Sequence, residues 1–308
     1  MKMIAGSAST ALSKAIAGHC NLEICQSKVE YFADQELRVQ LLDDLYNEKV
    51  IICQSIAKPA NDRLMELLLL SDAAYRSGAK YITALIPYFG YSRQDRPAYN
   101  YGPISASLVA RLLEASYVDQ VIMLDIHSRQ IEGMFKIRAR NLSAESLFTS
   151  HLKSQLGPNP ANAVPENTVP DTVIVSPDIG GVARARSLSE AVNLDLVIIN
   201  KSRDSERNCT MHDLIGNVQY RHCIIVDDIV DTAGTLSKAA ELLLKQGAKS
   251  VSAYISHAIL SHPALELLSP TLFKKIITTD SMAHSNLPDH FEVLSCSELF
   301  ASALRPML

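Results

Sequence analysis

Three aspartates fall within five residues in the segment Ile224-Ile-Val-Asp-Asp-Ile-Val-Asp-Thr-Ala-Gly-Thr235. An apolar, β-branched run leads into Asp227 and Asp228. This predicts two carboxylates at the C-terminal end of a buried strand, the edge where open α/β sheets bind ligands. Asp231, Thr232, Ala233, Gly234 and Thr235 then pass into a helix. Successive backbone N–H groups at such a turn form an anion nest, and the two threonine hydroxyls add donors. The chemistry predicted is capture of a phosphate beside a polyhydroxylated group, with carboxylates suited to ribose hydroxyls or to a magnesium ion. A plain carboxylate-capped turn has no use for three aspartates so close together.

Other candidates are scattered along the chain. Arg93-Gln94 follows an apolar strand and Pro87-Tyr-Phe-Gly90; an arginine beside an amide can clamp a nucleotide by stacking and hydrogen bonding. Tyr88, Phe89 and Tyr91 read as packing residues around that loop. His127 closes another strand, and Asp178 precedes the pair Gly180-Gly181, which lets backbone approach a ligand closely. Lys201 and Arg203 lie in a polar loop after a buried strand, and Phe32-Ala-Asp-Gln-Glu36 lies at a hairpin tip in an alternating stretch. Taken singly, each has an ordinary alternative: a structural histidine, a solvated charged loop, a charged turn.

These residues must be positioned by a βαβ framework. Short β-branched runs alternate with helical patterns, the signature of parallel sheets flanked by helices. Strands are predicted at Lys49–Cys53, Tyr81–Ile86, Val121–Asp125, Thr172–Val175, Leu196–Ile199, Cys223–Val226, Val251–Ile255 and Lys275–Thr279. Asn61-Asp62 is predicted to cap a helix through Tyr75, Pro103 to open one running to Ala115, and Gly234 to Gly247 to bound a third. Val50-Ile-Ile-Cys-Gln-Ser55, then a helix, then Gly78-Ala-Lys-Tyr-Ile-Thr-Ala-Leu-Ile86 is echoed by Cys223-Ile-Ile-Val-Asp-Asp228, then a helix, then Gly247-Ala-Lys-Ser-Val-Ser-Ala-Tyr-Ile255. The repeat predicts a duplicated domain whose second copy alone keeps the acidic, nest-forming turn. The expected division is 1–146, 147–290 and a C-terminal strand and helix at 291–308 that packs back on the first domain. Residues 157–170 and 97–102, rich in Pro, Gly and Asn, read as loops.

Composition narrows the classes. A chain of 308 residues with 47% hydrophobic and 20% charged residues fits two globular domains. A formal charge of −4 carries no basic excess for nucleic acid, and no apolar run is long enough to span a membrane. Six cysteines without a CxxC pair argue against zinc and disulfides and for reduced thiols in the cytoplasm. Neither a Walker A nor a GxGxxG pattern occurs, so a P-loop kinase or a dehydrogenase is unsupported.

With seven motifs in order, the chain resembles the ribose-phosphate diphosphokinase family, and the Asp227–Thr235 segment is similar to the phosphoribosyl-diphosphate motif of type I phosphoribosyltransferases. The motifs are Phe32–Glu36, Asn61-Asp-Arg-Leu-Met-Glu-Leu67, Pro87-Tyr-Phe-Gly-Tyr-Ser-Arg-Gln-Asp95, Asp125-Ile-His127, Ser176-Pro-Asp-Ile-Gly-Gly181, Lys201-Ser-Arg203 and Asp227–Thr235. The resemblance implies two phosphoribosyltransferase-like α/β domains and transfer of the diphosphoryl group of ATP to O1 of ribose 5-phosphate. It implies ATP binding by Phe32, Asp34, Gln35 and Glu36 from a neighbouring subunit and by Arg93 and Gln94. Magnesium is implied at His127 and Asp178, catalysis at Lys201 and Arg203, and ribose 5-phosphate binding at Arg203, Asp227, Asp228, Asp231, Thr232, Ala233, Gly234 and Thr235. Self-association is implied, and neither nucleic acid nor membrane is an expected partner. The weighed alternatives are a phosphoribosyltransferase and a catalytically silent regulatory homologue. Many members carry basic residues and a serine after the position of Arg96, and a serine-containing tail. This chain reads Pro97-Ala-Tyr-Asn-Tyr-Gly102 and ends at Leu308. These regions help form the allosteric phosphate and ADP site in such members.

Overall fold

The computed structural model describes residues 1–156, 171–203 and 209–308, with the side chains of 201–203 and 209–213 left undescribed. The chain divides into two compact units. The first comprises Met1–Ser143, Asp280–His284 and Ser295–Leu308; the second comprises Ala144–Thr279 and Ser285–Leu294.

Unit 1 begins β1 (Lys2–Ala5), α1 (Thr10–Cys20), β2 (Glu23–Cys25), then a hairpin of β3 (Ser27–Tyr31) and β4 (Leu37–Leu41). It continues β5 (Lys49–Cys53), α2 (Ala60–Arg76), β6 (Tyr81–Ile86), α3 (Ser105–Ala115), β7 (Gln120–Leu124) and β8 (Arg138–Leu142). Unit 2 contains α4 (Glu145–Leu156), β9 (Thr172–Ser176), α5 (Val182–Val192), β10 (Asp195–Arg203), β11 (Cys209–Ile215), β12 (His222–Val230), α6 (Gly234–Lys245), β13 (Ser250–Ala258), α7 (Ala264–Leu267), β14 (Lys275–Thr279) and β15 (Phe291–Leu294). Finally α8 (Ser297–Leu304) returns to unit 1, where Cys20 Sγ donates to the carbonyl of Ala301 and His19 meets Glu298 at 3.2 Å.

The sheets are β2-β1-β5-β6-β7-β8 and β11-β10-β9-β12-β13-β14-β15. Within these two sheets the described pairings are parallel except β10 with β11, and the β3–β4 hairpin forms a separate antiparallel pair. Without the antiparallel edge strand β11, the two orders correspond strand for strand. The repeated sequence segments are β5-α2-β6 and β12-α6-β13, the same arm of each sheet. Central strands such as β5 and β7 are almost wholly buried, as parallel strands covered on both faces must be. No helix among the described residues is long and apolar enough to cross a membrane.

Several sequence expectations are corrected. Helix α2 starts earlier, at Ala60 with Pro59 as its cap residue, because the Pro59 carbonyl accepts the Arg63 N–H at 3.1 Å. Helix α3 starts at Ser105 rather than Pro103; Ser105 Oγ donates to Gln94 Oε1 at 2.6 Å and the Ala106 N–H to the Gln94 carbonyl, tying its first turn to the preceding loop. Strand β7 ends at Leu124, since Asp125 turns into the left-handed region with φ 37°. The segment 291–308 is split: β15 pairs in parallel with β14 and completes the sheet of unit 2, while Ser295–Leu308 belongs to unit 1.

Candidate active site

In each sheet the chain runs outward from one strand in both directions, and the crevice at the C-terminal ends of the two strands flanking that reversal is the natural ligand site. In unit 2 those strands are β9 and β12. Pairing between them stops at Ile225, whereas β12 continues to Val230 beside β13 alone. Asp227 and Asp228 therefore lie inside a strand longer than the expected Cys223–Val226, in the stretch that β9 no longer covers. Asp231–Ala233 make the turn, with Ala233 at φ 65°, and α6 begins at Gly234. Thr232 and Thr235 are exposed, and no side chain caps the helix. The first-turn N–H groups of α6 have no intrahelical partners.

From β9, Ser176-Pro-Asp178 leads through Gly180-Gly181 into α5. Asp178 Oδ1 accepts the Gly181 N–H at 2.9 Å, and a Cβ at Gly181 would press within 3.0 Å of Ser176 Oγ. This glycine turn is thus closely packed around an oriented carboxylate. From α5, one guanidinium nitrogen of Arg184 lies 3.3 Å from Asp227 Oδ1 and 3.3 Å from Asp228 Oδ1. Burial, then the neighbouring Asp228 carboxylate, pushes Asp227 well above the usual carboxylate range, and Arg184 opposes this. Sequence reasoning overlooked Arg184 because an arginine on a polar helix, here one of two with Arg186, is unremarkable in type.

The equivalent crevice in unit 1, between β1 and β5, is filled from within. The N–H of Ser7 donates to Glu66 Oε1 at 2.7 Å, the Ser7 hydroxyl to Glu66 Oε2 at 2.5 Å, and the Ala8 N–H to Gln54 Oε1 at 3.0 Å. Glu66, fully buried, is also paired with Arg63 at 3.1 Å. Loop N–H groups that could face an anion here face the chain's own carboxylate and amide. Glu66→Ala should destabilise the protein by roughly 2 kcal/mol, because it removes the buried acceptor of part-buried donors on Ser7 and Arg63. Chemical denaturation checks this, and Glu66→Gln, which still accepts the Ser7 N–H, should cost less.

Unit 1 carries the other candidates. At the β3–β4 tip Gln35 adopts φ 73°, the Phe32 N–H donates to the Glu36 carbonyl at 2.8 Å, and the Glu36 N–H donates to Asp34 Oδ1 at 3.1 Å. Phe32 is half exposed beneath Arg38, whose guanidinium carbon is 5.9 Å from the ring centre. Gln35 and Glu36 join Asn61, Asp62 and Met65 of α2 around a cavity of about 470 Å³. Asn61 accepts the Tyr91 hydroxyl, so the same helix anchors the loop holding Arg93 and Gln94. Tyr88 and Phe89 are buried as packing residues, while Arg93 and Gln94 are exposed. Exposed His127 follows β7, the strand next to β6, and Gln130 joins the two strand-end loops by a 2.7 Å bond to Asp95.

The backbone of Lys201 and Arg203 lies in β10, which with β11 runs past its last pairing with β9 at Ile198. Their side chains lie outside the described residues. A register shift between Asn200 and Lys201 marks a bulge in this two-stranded ribbon. Among the described residues no group of three His, Cys, Asp or Glu could by itself hold a metal. Magnesium takes few protein ligands and keeps water and phosphate oxygens, so a carboxylate fixed like Asp178 fits it.

A doubly wound duplication, with a carboxylate pair before a helix N-terminus that no side chain caps at the reversal point of its second sheet, defines an enzyme built from phosphoribosyltransferase-type domains. Residues 1–116 match the N-terminal domain of ribose phosphate pyrophosphokinase, and residues 163–288 match the phosphoribosyl transferase domain. The chain is 43% identical to a ribose-phosphate pyrophosphokinase of Agrobacterium fabrum, over 92% of this chain and 87% of that one. It is 40% identical to one of Cereibacter sphaeroides, over 98% and 90%. The crystal structure of phosphoribosylpyrophosphate synthetase from Mycobacterium smegmatis superposes with a TM-score of 0.89 at 30% identity, covering 99% of this chain and 98% of that one. The chain belongs to the ribose-phosphate pyrophosphokinase family, and it is a diphosphotransferase.

Proposed function

We propose that the crevice between β9 and β12 holds ribose 5-phosphate and that the remaining candidates serve ATP and the transfer step. The observation carrying this reading is the carboxylate pair Asp227–Asp228 lying beyond the end of β9, directly before a nest-forming turn. The 5-phosphate would sit on the Asp231–Thr235 turn, taking N–H groups from the start of α6 and the hydroxyls of Thr232 and Thr235. Asp227 and Asp228 would accept hydrogen bonds from ribose hydroxyls and fix the ring.

Sugar O1 then attacks the β-phosphorus of ATP in line. The O1–Pβ bond forms, the bond from Pβ to the bridging oxygen of AMP breaks, and the O1 proton is released. Lys201 and Arg203 meet the charge that develops on the transferring group, and positioning supplies much of the rest. Arg93 and Gln94 bind ATP, joined by Phe32, Asp34, Gln35 and Glu36 of a neighbouring copy of the chain, so the active form is self-associated. His127 would serve magnesium near the ATP phosphates and Asp178 near the ribose; bound magnesium neutralises phosphate charge. The working compartment is the cytoplasm, without nucleic acid or membrane as partner.

The test uses ATP labelled at both its β and γ phosphates, with magnesium and ribose 5-phosphate. Both labels should appear in one sugar product with AMP released in equal amount. Release of ADP, or label from the γ position alone, would overturn diphosphoryl transfer.

A further inference from the structure

We infer that Arg184 is a positioning residue for the sugar: one guanidinium shared by Asp227 and Asp228 holds both carboxylates in place for the ribose hydroxyls. This rests on the reading of the β9–β12 crevice as the ribose 5-phosphate site.

Arg184 stands in the first turn of α5, which runs Val182–Val192 and carries no acidic residue in that turn. A helix N-terminus is the positive end of the macrodipole, so a cation there is unfavourable unless something local compensates. What compensates is on β12. The Arg184 Nη1 atom lies 3.3 Å from Oδ1 of both Asp227 and Asp228. Adjacent carboxylates with one buried side chain repel one another, and a charge removed from water must be paired or it neutralises. One arginine placed between them offsets part of both costs. The contacts have a direction as well: Asp227 Oδ1 takes the Asp228 N–H at 2.9 Å in addition to Arg184. The protein thus grips each carboxylate through Oδ1, a geometry that sets how each group presents itself in the crevice. Among the contacts described, Asp178 takes the backbone N–H of Gly181, while Arg184 pairs with Asp227 and Asp228.

The role is separable from a merely structural one. Calorimetric titration of ribose 5-phosphate into the intact protein should show a roughly tenfold weaker affinity in Arg184→Ala, the scale of a lost charge-assisted contact. Arg184→Lys, which keeps the charge but not the fork, should recover part of the loss. In steady state the KM for ribose 5-phosphate should rise while the KM for ATP stays within about twofold of the parent value. The deciding measurement is a double-mutant cycle against Asp227→Asn/Asp228→Asn. If Arg184 acts through the carboxylates, its removal costs much less in that background. Additive losses, or equal loss of ATP and sugar affinity in Arg184→Ala, overturn the inference. Should the asparagine variant itself bind ribose 5-phosphate as tightly as the parent, the underlying assignment of the crevice falls instead.

Discussion

Replacing Lys201 with alanine lowers kcat by about a thousandfold while leaving the Michaelis constants for ATP and ribose 5-phosphate within a few fold. The expectation comes from where the backbone of Lys201 stands. Strand β10 separates from β9 after Ile198 and continues with β11 as a ribbon, with its register shift at Lys201. Bulges of this kind re-aim strands near active sites. Asp178, Asp227 and Asp228 belong to the ends of β9 and β12, the strands that flank the reversal point. A cation carried on a ribbon, rather than in the closely packed crevice itself, suits a group that engages charge as it develops more than one that holds substrate in the ground state. Removing such a group lowers kcat and kcat/KM together, whereas removing a uniform binding contact raises KM alone. Single-turnover measurement of AMP formation at saturating substrates gives the chemical step directly. Lys201→Arg, retaining charge, should fall between the two. A Lys201→Ala rate within fivefold of the parent would remove the residue from the catalytic step.

What could be read in advance follows from how locally each feature is determined. The strands β5, β6, β12, β13 and β14 were legible because each is a β-branched run with nearly every residue buried, so the residue types alone report the environment. Strands β1, β2 and β8 were not. β1 is four residues long, β2 is three, and β8 alternates exposed arginines with partly buried neighbours at a sheet edge. Their pairing comes from partners distant in sequence. The C-terminal segment illustrates the same point: Phe291–Leu294 and Ser297–Leu304 are close in sequence but join different units, because one completes a sheet and the other packs on α1. Within the site, the acidic turn was visible as composition. Arg184 and Glu66 were not, since each draws its meaning from a residue on another element. A signal was present for both. Glu66 breaks an otherwise apolar run from Leu64 to Leu70, and Arg184 puts a positive charge in a helix turn where a negative one is favoured.

Thr232→Val combined with Thr235→Val should weaken ribose 5-phosphate binding by about a hundredfold and leave ATP binding nearly unchanged, the second large effect expected here. Both threonines are exposed, Thr232 on the turn after β12 and Thr235 in the first turn of α6, so valine keeps the β-branched shape and opens no core cavity. If the turn holds the 5-phosphate as proposed, the change removes only two hydroxyl donors to a phosphate dianion, each worth roughly tenfold as a charge-assisted bond. The backbone N–H groups of the nest remain, so binding is reduced rather than abolished. The geometry also distinguishes this loss from a general loosening of the crevice. If the turn grips the 5-phosphate, the double variant loses its preference for ribose 5-phosphate over unphosphorylated ribose, because the contribution removed is the one the phosphate alone makes. If the turn instead contacts the ring or the diphosphoryl group, the preference survives while all affinities fall. Competition by inorganic phosphate gives the same answer independently. The parent should be inhibited competitively with ribose 5-phosphate, and the variant should become less sensitive by a similar factor. In unit 1 the turn after β5, the strand corresponding to β12, reads Gln54-Ser-Ile-Ala-Lys-Pro59 and carries neither the aspartates nor the threonines of the Asp231–Thr235 turn. One ribose 5-phosphate per chain is therefore the stoichiometry to expect, and calorimetry of the parent protein measures it directly. Two equivalent sites would contradict the functional division between the two copies of the fold.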